Sequence, residues 1–260
     1  MSDDPPLASI ARDGGRAVLW DASLASRSPL FWPLAGAIDA LSDVMARAAA
    51  DGADIAFPQP ETIEEALGSR AGVRFERQRP VPRRRRVARE LDKMYDARIA
   101  REGCVPTRPG SWHDLMNALV WATFPASKRA LHARQHGLVV PASPGESARR
   151  PRELDALALL DEGGVVVVSP SALGDEDAMV AAIARGDATA LVFGHAIYEG
   201  LALGRPAPLA SVVCVAAVNC EPDSALAAVV ADRAQIIDPR AMLRVRADER
   251  LVPKRPRKNP

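Results

Sequence analysis

The chain has 260 residues, 48% of them hydrophobic and 26% charged, and its 34 basic and 33 acidic residues leave a formal net charge of +1. This composition excludes a wholly disordered chain, a collagen-like fibre and a bundle of membrane spans. The balanced charge excludes a global electrostatic preference for nucleic acid or anionic lipid. We expect a disordered tail over residues 1–15, a single α+β domain over 16–250 and a basic tail over 251–260.

The first half of the chain is predicted to be largely helical. Leu34 to Ala50 carries apolar residues at helical spacing, with Pro33 at its start and Gly52 at its end. Val73 to Arg77 alternates apolar and charged residues, which is typical of a half-buried strand. Further helices are predicted over Val87 to Ala100, Trp112 to Thr123 and Pro125 to His136, the last ending at Gly137.

The second half is predicted to contain the strands of the domain. An exposed connection, Val139 to Arg152, precedes them. Strands are predicted over Leu154 to Leu160, Val165 to Ser169 and Val212 to Val218, with a turn at Asp161 to Gly164. Helices are predicted over Asp175 to Ala184, Leu191 to Leu203 and Ser224 to Ala234. The fold class is therefore α+β, a predominantly helical single domain with a small antiparallel β element.

Cysteine usage and the chain start indicate a reducing compartment. The three cysteines, Cys104, Cys214 and Cys220, are odd in number and lack the close pairs of a zinc site. The acidic segment Met1 to Pro6 does not match a secretory signal, and no apolar stretch is long enough to span a membrane. We expect a cytoplasmic protein without membrane association.

Chemically distinctive residues are concentrated between Tyr95 and Leu131. The segment contains Tyr-Asp-Ala-Arg-Ile from Tyr95, Val-Pro-Thr-Arg from Val105, and Trp-His-Asp-Leu-Met-Asn-Ala-Leu-Val-Trp from Trp112. Phe-Pro follows at Phe124, and a lysine at Lys128. These joined elements resemble the signature of an uncharacterised bacterial family, domain of unknown function 3025.

The resemblance continues more weakly through Asp161 to Gly163 and through Gly194-His195-Ala196 with Glu199. It covers roughly residues 30 to 205, and after Leu203 the closing elements typical of that family are not found. The resemblance implies common ancestry with this family but no known activity, so the function has to be argued from the residues themselves.

A polar stripe follows the predicted helix that starts near Trp112. His113, Asn117 and Trp121 recur every four residues, with Asp114 on the flank. An imidazole, an amide and a carboxylate together could serve acid–base chemistry. The same side chains could equally cap the helix and satisfy buried donors. Trp121 and Phe124, together with Leu115 and Leu119, are also expected to anchor this helix in the core.

His195 and Glu199 are also four residues apart on a predicted helix, a spacing compatible with a divalent metal. A third ligand would come from His113 or Asp114, so we expect the elements around His113 and His195 to pack against each other. A plain ion pair between His195 and Glu199 is the alternative. His132 and His136 share the spacing but lie among cationic residues, and they are interpreted as surface residues near a helix end.

Two functions from different classes remain open. The first is a small hydrolase-like enzyme with His113, Asp114, Asn117, His195 and Glu199 as catalytic residues and Arg98, Arg108 and Lys128 as binding residues. The second is a non-catalytic binding module whose arginine-rich loop, Arg83 to Arg86, binds an acidic or nucleic-acid partner weakly and without sequence preference. The sequence leaves the reaction, the substrate, the oligomeric state and the role of the region after Leu203 open.

Overall fold

The computed structural model describes residues 12–13, 16–17, 19–52, 56–78, 95–138, 151–171, 173–216 and 221–252. Arg83 to Arg86 lie outside these residues, as do most of the two predicted tails and of the predicted connection before Arg152. Helices predominate in the described residues and strands form small sheets, which confirms the α+β class. In this part of the chain no helix is both long enough and apolar enough to cross a bilayer.

The N-terminal part is a layer of helices that covers one side of the core. A short antiparallel pair, β1 (Arg12–Asp13) and β2 (Arg16–Ala17), precedes α1 (Leu24–Arg27) and a 3-10 helix (Pro29–Leu34). The predicted helix follows as α2 (Ala35–Ala50), and then α3 (Pro60–Ala71) packs against α2 and against the helix over Trp112–Thr123. The apolar stripe of α2 is buried, which explains why helical spacing identified it.

The central segment contains the helix around which the domain is built. Strands β3 (Arg74–Arg77) and β4 (Cys104–Thr107) pair in parallel, and α4 (Tyr95–Glu102) lies between them in the sequence. Next come α5 (Trp112–Thr123) and α6 (Pro125–Leu138). The α5 prediction is confirmed: Ser111 Oγ accepts from the backbone N–H of Asp114, and Leu115, Leu119 and Trp121 are fully buried. Helix α6 continues through Gly137 rather than ending there.

The predicted strand over Leu154 to Leu160 is wrong, because this segment lies in α7 (Arg152–Gly163). Pro151 precedes the helix, Glu153 and Asp155 occupy its first turn, and the buried residues Leu157 and Leu160 are three apart. The predicted turn at Asp161 to Gly164 is consequently the C-terminal end of a helix. The Asp161 side chain is thereby largely buried, whereas the Glu162 side chain stays half-exposed.

The larger sheet is mixed rather than antiparallel. Its order is β6 (Thr189–Val192), β5 (Gly164–Ser169), β7 (Leu209–Ala216) and β8 (Leu243–Arg246). β5 and β7 run parallel, whereas the pairs at either side are antiparallel. The remaining helices are α8 (Glu176–Arg185), α9 (His195–Ala202) and α10 (Pro222–Ala231), and a 3-10 helix (Glu249–Leu251) follows β8.

The helix predicted over Leu191 to Leu203 is two elements. The chain runs as strand β6 until Val192, passes Phe193 and Gly194, and enters α9 at His195. The backbone N–H groups of Phe193 and Gly194 both donate to the carbonyl of Gly164, which ties this junction to the start of β5. Helix α9 then packs against α5 and α7, where the candidate site lies.

Candidate metal centre

Two histidines from distant parts of the sequence meet where α5 and α9 pack. His113 is the second residue of α5 and His195 is the first residue of α9. Their Nε2 atoms lie 3.0 Å apart and their ring planes are inclined by 74°. His195 is buried, whereas the side chain of His113 is one-third exposed. The structure thus brings together the two histidines that the sequence analysis expected to pack against each other.

Glu162, at the end of α7, is the third member of this group. Its Oε2 lies 3.3 Å from His195 Nε2, and its Oε1 lies 4.0 Å from His113 Nε2. One ligand atom from each of the three side chains lies within 4.8 Å of the other two. Burial raises the pKa of Glu162, His113 lowers it and the Asp161 carboxylate raises it again. We call these residues the HHE cluster.

Glu199 supports the cluster instead of joining it. Its Oε2 accepts from His113 Nδ1 at 3.0 Å, so in the neutral imidazole the proton resides on Nδ1 and the Nε2 lone pair faces His195. The predicted pairing of Glu199 with His195 on one helix is therefore not what the structure contains. A carboxylate behind an imidazole in this way fixes the ring and its tautomer.

His195 is held neutral and carries an unsatisfied nitrogen. Burial lowers its pKa to about 3, even though the nearby Asp161 carboxylate raises it. Its Nδ1 is buried and makes no well-formed hydrogen bond within the described residues, and the groups on that side are the Asp161 backbone and Asp161 Oδ1, the latter at 3.9 Å. An orphaned buried nitrogen is rare in folded proteins and calls for a physical reason.

A buried lysine anchors the carboxylate behind His195. Lys128 Nζ donates to Asp161 Oδ1 at 2.5 Å and to Asn117 Oδ1 at 2.8 Å, and its side chain is completely buried. Asn117 in turn donates to the hydroxyl of Tyr95 at 2.8 Å. Burial alone would raise the pKa of Asp161, but Lys128 and the neighbouring imidazoles lower it overall, so this carboxylate is ionised.

Three other predicted site residues lie apart from the HHE cluster. Asp114 makes a bidentate ion pair with the Arg108 side chain and also accepts a hydrogen bond from the Arg108 backbone N–H at 2.6 Å. This pair closes the turn between β4 and α5. Arg98 contacts Glu76, Glu102 and the thiol of Cys104. Asp114 is therefore not a cluster member, and Arg98 belongs to the β3–α4–β4 unit.

The cluster depends on a close approach of two backbones. A Cβ atom at Gly194 would lie under 3.0 Å from backbone atoms of Glu162, Gly163 and Gly164. Gly194 has an ordinary negative φ, so the requirement is for space and not for a left-handed conformation. The missing side chain lets the start of α9 rest directly on the end of α7, which brings His195 to Glu162.

The cluster forms part of the wall of a cavity of about 390 Å³. Its described lining is mainly polar and includes residues from α4, α5, α6, α7 and α9. The lining residues are Gln78, Tyr95, Asp96, Pro106, Arg108, His113, Asp114, Asn117, His132, Gln135, Ala158, Asp161, Glu162 and His195. A cavity of this size accommodates a small molecule.

His132 is buried, so its interpretation as a surface residue is wrong. Its Nδ1 lies 2.8 Å from Asp96 Oδ1, and its ring stacks on Trp121 with centroids 5.4 Å apart. The cationic sequence neighbours do not surround it, because the ammonium of Lys128 is bound by Asp161 and Asn117. Reasoning from the sequence thus missed a second histidine–carboxylate pair in the same cavity.

Glu162 and Asp161 were also missed as functional residues, since they were assigned to a turn. The signal available for them was the family-like acidic element at Asp161 to Gly163. For Asp96, the signal available was its position inside the Tyr-Asp-Ala-Arg-Ile element.

Comparison with known proteins identifies a family and nothing beyond it. The family model for protein of unknown function DUF3025 matches residues 83–256. The match extends past Leu203, so the expected departure from the family in the C-terminal part is wrong. No curated protein and no solved structure matches the chain.

Proposed function

This chain belongs to the DUF3025 family, and we propose that it is a metal-dependent hydrolase whose HHE cluster holds one divalent cation. Two imidazoles and one carboxylate form one of the donor sets of catalytic zinc sites, which keep a further position for water or substrate. Zinc is therefore the proposed ion. The observation that carries the proposal is the convergence of His113, His195 and Glu162, which come from three separate helices, on one point of a cavity wall.

The spacing of the three ligand atoms suits a single ion. Two donors about 2.05 Å from a tetrahedral zinc ion are separated by about 3.3 Å. The Nε2–Nε2 distance of 3.0 Å and the Nε2–Oε2 distance of 3.3 Å are close to that value. The approach of Glu162 to His113 Nε2 is longer, 4.0 Å, and is made by its other oxygen, Oε1, so this half-exposed carboxylate has to rotate for one oxygen to reach both imidazoles.

The unsatisfied nitrogen of His195 supports the same proposal. When His113 is neutral and donates from Nδ1 to Glu199, its Nε2 has no proton, and the 3.0 Å contact then requires the proton on His195 Nε2. That tautomer leaves a bare lone pair on the buried Nδ1. With a cation on both Nε2 atoms, the proton of His195 resides on Nδ1, where it faces the ionised Asp161.

Each neighbouring residue then has a defined task. A bound zinc ion lowers the pKa of a coordinated water to about 7 and polarises a carbonyl group. Glu199 holds His113 in the required tautomer, and Asp161 faces the Nδ1 of His195. Lys128 keeps Asp161 ionised and in place, while Asn117 links Lys128 to Tyr95. The adjoining cavity receives the substrate.

Metal analysis of the purified protein tests the proposal. We expect one zinc ion per chain by elemental analysis after dialysis, and loss of that ion in His113→Gln, His195→Gln and Glu162→Gln. His136→Gln is the matched control, since His136 lies on α6 outside the cluster and should leave zinc binding unchanged. Competition with a chromogenic chelator gives the affinity of each variant.

Hydrolysis is tested with the zinc-loaded protein on a panel of small chromogenic esters and amides. We expect turnover by wild type and by His136→Gln, and none by His195→Gln. Wild-type protein that binds no divalent metal, or His195→Gln protein that binds zinc as tightly as wild type, would overturn the metal centre. Zinc-loaded protein that hydrolyses nothing in the panel would overturn the hydrolase assignment and leave the metal centre standing.

A further inference from the structure

Two unpartnered polar atoms lie one turn apart on α6. His132 Nε2 and Gln135 Oε1 are buried, and neither has a hydrogen-bond partner in the part of the chain that the structure describes. Both residues line the same cavity as the HHE cluster, and residues three apart on a helix share one face. A buried polar group without a partner costs free energy, so two of them beside one cavity point to a ligand that satisfies both.

The partners of His132 determine what that ligand must offer. Asp96 Oδ1 accepts from Nδ1 at 2.8 Å, so in the neutral imidazole the Nε2 atom carries a lone pair and accepts a hydrogen bond. Stacking on Trp121 and an edge contact with Tyr95 hold the ring in place. Gln135 Oε1 is also an acceptor. The missing group is therefore a hydrogen-bond donor with at least two N–H or O–H bonds.

The charges around the cavity favour a cationic donor. Four described carboxylates line the cavity: Asp96, Asp114, Asp161 and Glu162. Arg108 balances Asp114, and Lys128 balances Asp161. Glu162 belongs to the HHE cluster. Asp96 remains, and its only described ion-pair partner is the imidazole of His132. A positive charge beside His132 would compensate the negative charge of the Asp96 carboxylate.

We propose that Asp96, His132 and Gln135 form a subsite for a protonated primary amino group. An ammonium group offers three donors and no acceptor, which matches two accepting atoms backed by a carboxylate. Combined with the proposed function, on which this step rests, the subsite defines the substrate class. The substrate is an ester or amide of a small amino-bearing molecule, such as an amino-acid derivative, whose carbonyl group reaches the HHE cluster.

Binding of simple probes tests the subsite without requiring turnover. The probes are n-butylammonium, n-butanol and butyrate, which share a chain length and differ in the polar group. They are titrated into the full chain, metal-free and zinc-loaded, while the side-chain nitrogen resonances of His132 and Gln135 are followed by NMR. We expect saturable binding of n-butylammonium in both forms, and neither n-butanol nor butyrate should perturb these resonances.

Two variants and one control complete the experiment. Asp96→Asn and Gln135→Leu should each weaken n-butylammonium binding about ten-fold or more, the loss expected for a hydrogen bond to a charged group. His136→Gln, one turn further along α6 from His132, should bind as wild type. Gln135→Leu alone decides the matter if Asp96→Asn does not fold.

Equal binding of butyrate and n-butylammonium would overturn the subsite. So would n-butylammonium binding that is unchanged in the Gln135→Leu variant. Neither result affects zinc uptake, which depends on other residues. Conversely, a wild-type protein that takes up no zinc but binds n-butylammonium keeps the amino subsite and removes the metal centre. The two proposals can therefore fail separately.

Discussion

The buried pair of Lys128 and Asp161 provides the sharpest test of how the site is supported. We consider three variants: Lys128→Met, Asp161→Asn and the double variant. Methionine retains most of the length of lysine without its charge, and asparagine retains the shape of aspartate. Lys128 is completely buried and the Asp161 side chain is 13% exposed, so neither partner can be hydrated in place when the other is removed.

The expected magnitudes follow from this burial. Removing one partner leaves an uncompensated charge in the interior, which typically costs about 3–5 kcal/mol of unfolding free energy. Removing both charges costs much less than the sum of the two single losses, because the double variant contains no unpaired ion. We expect a coupling energy of at least about 2 kcal/mol, with about 1 kcal/mol of further loss from the unsatisfied Asn117 amide oxygen.

Urea denaturation followed by circular dichroism, with a chelator present, measures all four free energies. The control cycle uses the exposed pair Arg185 and Asp187, whose atoms are 2.7 Å apart but whose side chains are 62% and 59% exposed. Its coupling should stay below about 1 kcal/mol. If Lys128 and Asp161 show additive losses, or a coupling no larger than that of the exposed pair, the ion pair does not support the site and the reasoning fails.

Four further predictions concern the site, the core and the basic run. Asp161→Asn should lower zinc affinity about 10- to 100-fold in a chelator competition, because it removes the carboxylate behind His195, and unchanged affinity would contradict that role. The unfolded His195 imidazole takes up a proton below its ordinary pKa of 6.5 while the folded one stays neutral down to about 3, so stability should fall as pH decreases through this window, by at most about 5 kcal/mol. Urea denaturation between pH 7 and 4 should show a shallower fall for His195→Gln, and parallel curves would count against it. Trp121→Ala should cost about 3–5 kcal/mol in chemical denaturation, since the ring is fully buried, whereas a loss under about 1 kcal/mol would disprove the packing. Replacing Arg83 to Arg86 with alanine should abolish weak polyanion binding, whose log–log salt slope in a gel-shift titration should be about −3 to −4 in the parent protein, and no binding at low salt would refute it.

Local sequence signals predicted those helices whose ends are marked by a capping residue and whose apolar residues recur at helical spacing. Helix α5 begins after Ser111, which caps it, and its apolar residues recur at helical spacing, so its bounds match the prediction. The segment before Asp161 has a short apolar run that suits a strand or a buried helix equally well. The acidic first turn after Pro151 favours a helix. The strand prediction did not take that signal into account, so α7 was predicted as a strand and its last turn as a loop.

The candidate site was predictable only as far as its residues lie in distinctive elements. His113 and His195 stand in family-like motifs, and their approach could be expected from the small number of histidines. Glu162 could not be recognised as a neighbour, because its position depends on the contact between the ends of α7 and the start of α9. The prediction that His132 lies at the surface was wrong because it relied on the cationic residues near it in the sequence. The charge of Lys128 is directed into the core and not toward the imidazole.

The absent side chain at Gly194 has a consequence for mutational tolerance. Any larger residue there must push α9 away from α7, because the atoms in the way belong to the backbone and cannot rotate aside. His195 would then move away from Glu162 although both side chains remain unchanged. In a deep mutational scan, Gly194 would therefore be as intolerant as a metal ligand, and a position without any functional group would be mistaken for a catalytic one.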